Sequence, residues 1–156
     1  MRESTDWLSK FAALAVIELL LLTVVLFCGV LSQTFAGYYH YELIQYFKQI
    51  YLITFPNVLM FVLLALFLQT VLGNKFIAHG FVIGLFILNP VLFTHGWENT
   101  LYLFGSTPRY TYSDMNGYGH FVPAIFWSTT YWLSIAALLG VISIGLAARE
   151  IGRAHV

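Results

Sequence analysis

The run FAALAVIELLLLTVVLFCGVL, Phe11 to Leu31, decides the fold: it holds 21 residues and a single charge, Glu18. A helix needs about 20 mostly apolar residues to cross a bilayer. The hydrophobic region of a cleavable signal is shorter than this run, and no small-residue cleavage site follows it, so it reads as a retained span. Working outward, an uncharged stretch extends from Gln49 to Asn74 and is interrupted by Pro56. Proline fits best in a first helical turn, which starts the second span near Pro56 and ends it at Leu72, before Gly73-Asn74-Lys75. A third span follows from Phe76 to Thr94, with Asn89-Pro90 near its end, and a fourth from Phe121 to Ala148 without a charge. The spans are therefore 11–31, 56–72, 76–94 and 121–148.

Composition agrees. Of 156 residues, 60% are hydrophobic and 9% charged, against about 25% charged in a soluble domain. Such a chain is too apolar and aromatic for disorder. Its formal net charge is zero, which offers no electrostatic footprint for nucleic acid. Cys28 is the only cysteine and lies inside an apolar run, so a disulfide framework is excluded. The fold class expected is an all-α integral membrane protein in the lipid bilayer. It has four transmembrane helices, an interfacial amphipathic helix and a long structured extracytoplasmic loop.

Basic residues near the span ends set the orientation. An even number of spans puts Arg2, Lys10, Lys75 and Arg149 on one side, and Lys48 and Arg109 on the other. This favours a cytoplasmic N-terminus. Nine of the ten tyrosines fall between Tyr38 and Tyr51 or between Tyr102 and Tyr118, the two stretches this orientation places outside. Tyrosine favours such an interface because its ring is apolar and its hydroxyl wet.

Two connecting segments stand out. From Glu42 to Thr54, Leu43, Ile44, Phe47, Ile50 and Tyr51 form one apolar stripe, opposite Glu42, Gln45, Lys48 and Gln49. That pattern suits a helix lying flat in the outer interface before the chain turns inward at Pro56; the alternative is a long N-terminal extension of the second span. The stretch from His95 to His120 is long for a loop, which marks it as functional or disordered, and its aromatic content argues for order. Asn116-Gly117 is a turn signal, and Gly119 adds a second position free of the Cβ restriction. The segment is expected to fold back onto the outer mouth of the bundle. In the fourth span, Ala136, Gly140, Ser143 and Ala147 supply small residues four apart, which permit close helix approach.

Chemistry is sparse. Glu18 is the one acidic residue inside a span, and His79 lies early in the third. A carboxylate at mid-membrane costs about 2.5–3.5 kcal/mol and so faces protein or water, as a buried hydrogen-bonded group or a transport-linked one. His40, His95 and His120 share the outer side with Glu42, Glu98 and Asp114, but their spacing matches no compact metal-ligand pattern. There is no phosphate-binding loop and no Gly-x-Ser-x-Gly elbow, and Ser113-Asp114 with His120 has only the letters of a catalytic triad. No metal site, catalytic residue or cofactor is assigned.

Three groups of residues carry a resemblance to a known family. They are Gly37-Tyr38-Tyr39-His40-Tyr41-Glu42, Gly105-Ser106-Thr107-Pro108, and Tyr112-Ser113-Asp114-Met115-Asn116-Gly117-Tyr118-Gly119-His120-Phe121. Followed by Phe126-Trp127 and Tyr131-Trp132, they resemble bacterial type-2 ABC transporter permeases fused to a C-terminal zinc aminopeptidase-like domain. The resemblance covers Ser9 to Arg149. It implies an all-helical permease of the bacterial inner membrane, partnered by a separate ABC ATPase subunit that hydrolyses the ATP. The zinc motif of the peptidase portion is absent, so peptidase activity is not carried over, and the resemblance brings no catalytic role for Tyr112 to His120.

Members of that family are several times longer, so the chain reads as a fragment that meets further transmembrane helices of the intact permease. Its ending, Ile151-Gly152-Arg153-Ala154-His155-Val156, back-translates in frame to a sequencing adapter, with Glu150 supplying the preceding bases. Residues 1–149 are thus the permease portion and 150–156 a non-native tail, excluded from fold reasoning. Two rivals remain: a membrane-embedded metalloenzyme using the outer His, Asp and Glu residues, and a small four-span scaffold subunit.

Overall fold

The computed structural model describes residues 2–97, 99–113 and 117–154, with side chains between residues 5 and 147 of these. Glu98, the loop-motif residues Asp114, Met115 and Asn116, and His155 and Val156 of the ending lie outside the described residues.

Helix α1 (Arg2–Phe35) extends the Phe11–Leu31 run at both ends. Inside hydrocarbon a hydroxyl must be satisfied within the protein. Ser9, Thr23 and Thr34 donate to the carbonyls of Thr5, Leu19 and Val30, four residues back, at 2.7–2.8 Å. The helix stops at Gly37, whose φ of 78° is left-handed. Gly37 N–H bonds Thr34 O at 3.0 Å and Tyr38 N–H bonds Gln33 O at 3.1 Å, the paired contacts of a Schellman cap.

The second span differs from the expectation of a flat helix that turns at Pro56. Helix α2 (Leu43–Phe47), a π-helical stretch (Lys48–Thr54) and α3 (Phe55–Leu72) form one continuous rod from Leu43 to Leu72. The N-terminal extension is therefore the observed form. The physical reason lies just ahead of the proline. Proline lacks an N–H, and its ring strikes the carbonyl four residues back in a regular α-helix. Here Phe55 N–H reaches Ile50 O, and Thr54 Oγ1 donates to Gln49 O at 2.9 Å, both five residues back. The wider π turn takes up the ring, and the rod continues.

Helices α3 and α4 (Lys75–Thr94) are joined by a two-residue hinge. Gly73 ends α3 at φ 62° with its N–H on Gln69 O. Asn74 then caps α4 by accepting from Phe76 N at 2.9 Å and Ile77 N at 3.4 Å. Helix α5 (Phe121–Ala154) completes the bundle. The first residues of the ending, through Ala154, continue its helical backbone.

Helix α3 is the centre, packing on α5, α4 and α1. The core joins Trp7 of α1, Met60, Leu63 and Leu66 of α3, and Trp132 and Ala136 of α5. On α1 the inward stripe is Trp7, Phe11, Ala15, Glu18, Leu22 and Leu26, spaced by three or four residues. The other faces are apolar and exposed, for example Val16, Leu20, Val24 and Phe27 on α1 and Phe81, Ile83 and Phe86 on α4. In water that surface would far exceed the patch a soluble monomer tolerates; in lipid it is the expected outer face.

Candidate functional site

The loop end of the bundle, where α1 and α4 finish and α2 and α5 begin, carries most of the polar side chains that meet across segments. The 95–120 segment is pinned there by backbone carbonyls that accept from helix side chains. Trp132 Nε1 donates to Thr100 O at 3.1 Å, Ser128 Oγ to Ser106 O at 2.9 Å, and Asn89 Nδ2 to Phe104 O at 2.7 Å. Phe104 packs edge-on between Phe61 and Trp132, with ring centroids 5.5 and 5.1 Å away. Gly105 follows at φ 68°, and a Cβ there would lie 3.0 Å from Phe61 Cε2. Further on, the Arg109 guanidinium sits 4.3 Å from the centroid of Phe93, a cation–π contact onto α4.

The motif Tyr112–His120 begins a tight reversal, with Ser113 and Gly117 exchanging backbone hydrogen bonds of 2.9 and 2.7 Å. Gly117 and Gly119 take φ values of 57° and 47°, a region that a Cβ disfavours. The turn brings Tyr118 against the α2 and π-helical stretch. Its hydroxyl donates to Gln49 Oε1 at 2.7 Å and accepts from Gln45 Nε2 at 2.9 Å. Gln49 Nε2 donates in turn to Tyr110 OH at 2.6 Å, and Tyr112 OH donates to Glu42 Oε2 at 3.2 Å. Tyr110 and Tyr112 both stand edge-on to Tyr118, at 5.5 and 5.6 Å. Burial pushes the Tyr118 phenol above its ordinary 10.0; the Gln45 hydrogen bond opposes that shift, and Tyr110 adds to it.

Tyrosines also tie α1 to the second rod. Thr23 meets the Tyr51 hydroxyl at 2.7 Å, Thr34 meets that of Tyr41 at 2.8 Å, and Tyr46 OH donates to Gln33 Oε1.

Two cavities flank Tyr118. The larger, about 840 Å³, includes Glu42, Gln45, Lys48 and Tyr112 in its wall. The other is an apolar groove of about 510 Å³ between Leu52 and Ile53 on one side and a stripe of α5 on the other. Lys48, Tyr118 and Val122 line both. Thr129 lines the groove, and its buried Oγ1 has no hydrogen-bond partner among the described residues.

The remaining sequence candidates are scattered. Glu18 is half-buried on the inward stripe of α1 and makes no hydrogen bond or ion pair among the described residues. His79 is exposed in the first turns of α4, with Nδ1 2.6 Å from Lys75 O. His120 is exposed and lies against Phe121, with ring centroids 4.1 Å apart. Among the described residues, no three of His, Cys, Asp and Glu converge as a metal site would require. The α5 small residues lie at the far end of the bundle. Ala136 and Ser143 are fully buried, Gly140 is closed over by Trp7 and Leu63, and Ala147 is half-buried.

That far end holds a second polar assembly. Trp7 Nε1 donates to Ser143 Oγ at 3.0 Å, Ser143 and Thr70 hydroxyls meet at 2.8 Å, and Thr70 donates to Leu66 O at 2.9 Å. Neither Trp7 nor Thr70 is marked in the sequence, because neither carries a motif and Trp7 precedes the apolar run that starts at Phe11. The spacing of Trp7 from Phe11, one helical turn, is the signal that places both on one face.

Among the described residues, four helices are long and apolar enough to cross a membrane: Thr5–Phe35, Leu43–Leu72, Lys75–Thr94 and Phe121–Ala147. The chain is a multi-pass helical membrane protein with an ordered tyrosine-rich cap at one end. Compared with protein-family models, curated proteins and solved structures, it matches none.

Proposed function

We propose that residues 1–149 are the transmembrane portion of an ATP-driven ABC transporter permease whose ATP is hydrolysed by a separate subunit. The bilayer is the bacterial inner membrane, with the N-terminus in the cytoplasm and the tyrosine-rich cap outside. The observation that supports this reading is the place of the Tyr112–Phe121 stretch, which carries the family resemblance. It supplies Tyr118, the residue that links the loop to the Gln45–Gln49 face of the second rod. A permease needs an outer mouth tied to helices that move, and a loop bonded to one rod while resting on others meets that need.

The test begins with the uninterrupted gene. Expressed with the ATPase encoded beside it, the full-length protein is expected to co-purify with that subunit and raise its ATP turnover in proteoliposomes. A stop codon directly after Arg149, with no ATPase retained, would sink the permease reading and favour a four-span scaffold. Orientation is tested separately in a Cys28→Ser background. Tyr102→Cys is expected to react with an impermeant maleimide from outside, and Lys75→Cys to stay unlabelled until the cells are opened. The reverse pattern would invert the bundle.

A further inference from the structure

The groove beside Tyr118 has a consistent chemical polarity along its length. On α5 its wall is Val122, Ile125, Phe126, Thr129, Thr130 and Leu133, a single helical stripe. From Val122 to Leu133 the helix rises about 16 Å. Opposite stand Leu52 and Ile53, carried by the π-helical turns. The groove thus lies between two rods that cross the membrane, and its lining away from the mouth is apolar apart from two threonines. Water has few partners there, whereas a hydrocarbon chain lying along the stripe keeps the lining covered.

The mouth is different. Lys48 is exposed, and its side chain makes no ion pair or hydrogen bond among the described residues. It lines both the groove and the 840 Å³ cavity. That cavity also holds Glu42, whose Oε2 accepts one hydrogen bond from Tyr112 and keeps further acceptor capacity. One cation and one anion in a cavity walled by Tyr41, Tyr112 and Tyr118 are complementary to a headgroup that carries both signs. Such a headgroup would set its phosphate at Lys48 and its ammonium toward Glu42. A purely anionic headgroup would leave Glu42 facing like charge, and a quaternary ammonium could not donate a hydrogen bond to it.

We propose that this groove and the cavity above it form a site for one zwitterionic phospholipid with a primary ammonium, its acyl chain along α5 and its headgroup between Lys48 and Glu42. The site needs the membrane assignment but not the permease reading, so it is tested without any ATPase. The full chain is reconstituted in nanodiscs of equal phosphatidylethanolamine and phosphatidylglycerol, extracted into detergent and examined by native mass spectrometry. One tightly retained phosphatidylethanolamine is expected. Lys48→Gln and Glu42→Gln, both at exposed positions, should each lower its retention about tenfold, the scale of one charge-assisted hydrogen bond. Val122→Trp, which fills the junction of groove and cavity, should abolish it while circular dichroism stays unchanged. Equal retention of phosphatidylglycerol, or of phosphatidylcholine in a parallel mixture, would overturn the headgroup assignment. Retention unaffected by Val122→Trp would place the lipid outside this groove and end the proposal.

Discussion

The bundle has a polar assembly at each end, and the two are built to opposite plans. At the far end, the indole N–H of Trp7, the hydroxyls of Ser143 and Thr70 and the carbonyl of Leu66 form one directed chain. Thr70 donates to Leu66, so Ser143 must donate to Thr70 and is left to accept from Trp7. Every donor in the chain is used, and Ser143 has no exposed surface. At the loop end, tyrosine hydroxyls and glutamine amides meet between segments at comparable distances, but they are half-buried and border two cavities. A closed chain has nothing left to offer a ligand and can only hold helices together. An open one retains lone pairs and space, so binding belongs there.

The largest expected effect tests the closed end. Trp7→Ala removes the ring that covers Gly140 and joins α1 to the core, and it deletes the chain's first donor. A loss of about 3 kcal/mol is expected, the low end for truncating a buried tryptophan. Reversible unfolding in mixed micelles measures it. Ser143→Ala in the same assay should cost only about 1.2 kcal/mol, for two hydrogen bonds at the average of about 0.6 kcal/mol each between membrane helices. If the two variants cost the same, packing is not what fastens α1, and the contrast between the ends fails.

A smaller effect is expected at the cap. Gly105→Ala places a Cβ 3.0 Å from Phe61 at a φ of 68°. Backbone strain of this kind costs about 1–3 kcal/mol. Here it should fall on the loop rather than the bundle, because the Phe61 ring meets the loop at Gly105 and Phe104 while Met60, Leu63 and Leu66 hold α3 in the core. Amide exchange should quicken in residues 100–108 while the core of α3 stays protected. Uniform quickening would mean that loop and bundle unfold as one unit.

The four spans were legible because length and hydropathy alone separate a membrane helix from anything else, and Gly73-Asn74 marks its own hinge through cap chemistry. The straight second rod was not. Leu43 to Thr54 has an amphipathic stripe, and a stripe cannot say whether its polar face meets water or other protein. Gln45 and Gln49 turn out to face Tyr118 and Tyr110, residues more than sixty positions away. That long-range pairing is what the periodicity was recording. Likewise Ala136, Gly140 and Ser143 read as a surface for close approach, but nothing local could name Trp7 as what approaches. Glu18 falls on the inward stripe of α1, a face marked by the spacing of Trp7, Phe11 and Leu22 once the helix extends N-terminally past Phe11.

The smallest expected effect concerns acidity at the open end. Tyr118 is the hub of the cap, and its phenol is raised above 10.0 chiefly because burial disfavours the phenolate. A raised value means that the folded protein holds this proton at a pH where the unfolded chain has released it. The neutral phenol's contribution is therefore complete below pH 10.0 and is lost as pH climbs through the folded value. The bond to Gln49 requires that proton, since Tyr118 is its donor. Tyrosinate absorbance should show one phenol ionising above pH 10.0, and amide exchange in residues 117–120 should quicken over the same interval. Tyr118→Phe should remove both signals together. If exchange quickens below pH 10.0, or quickens equally in Tyr118→Phe, the hub does not hold the cap. The open end would then owe its order to the carbonyls bonded by Trp132, Ser128 and Asn89 alone.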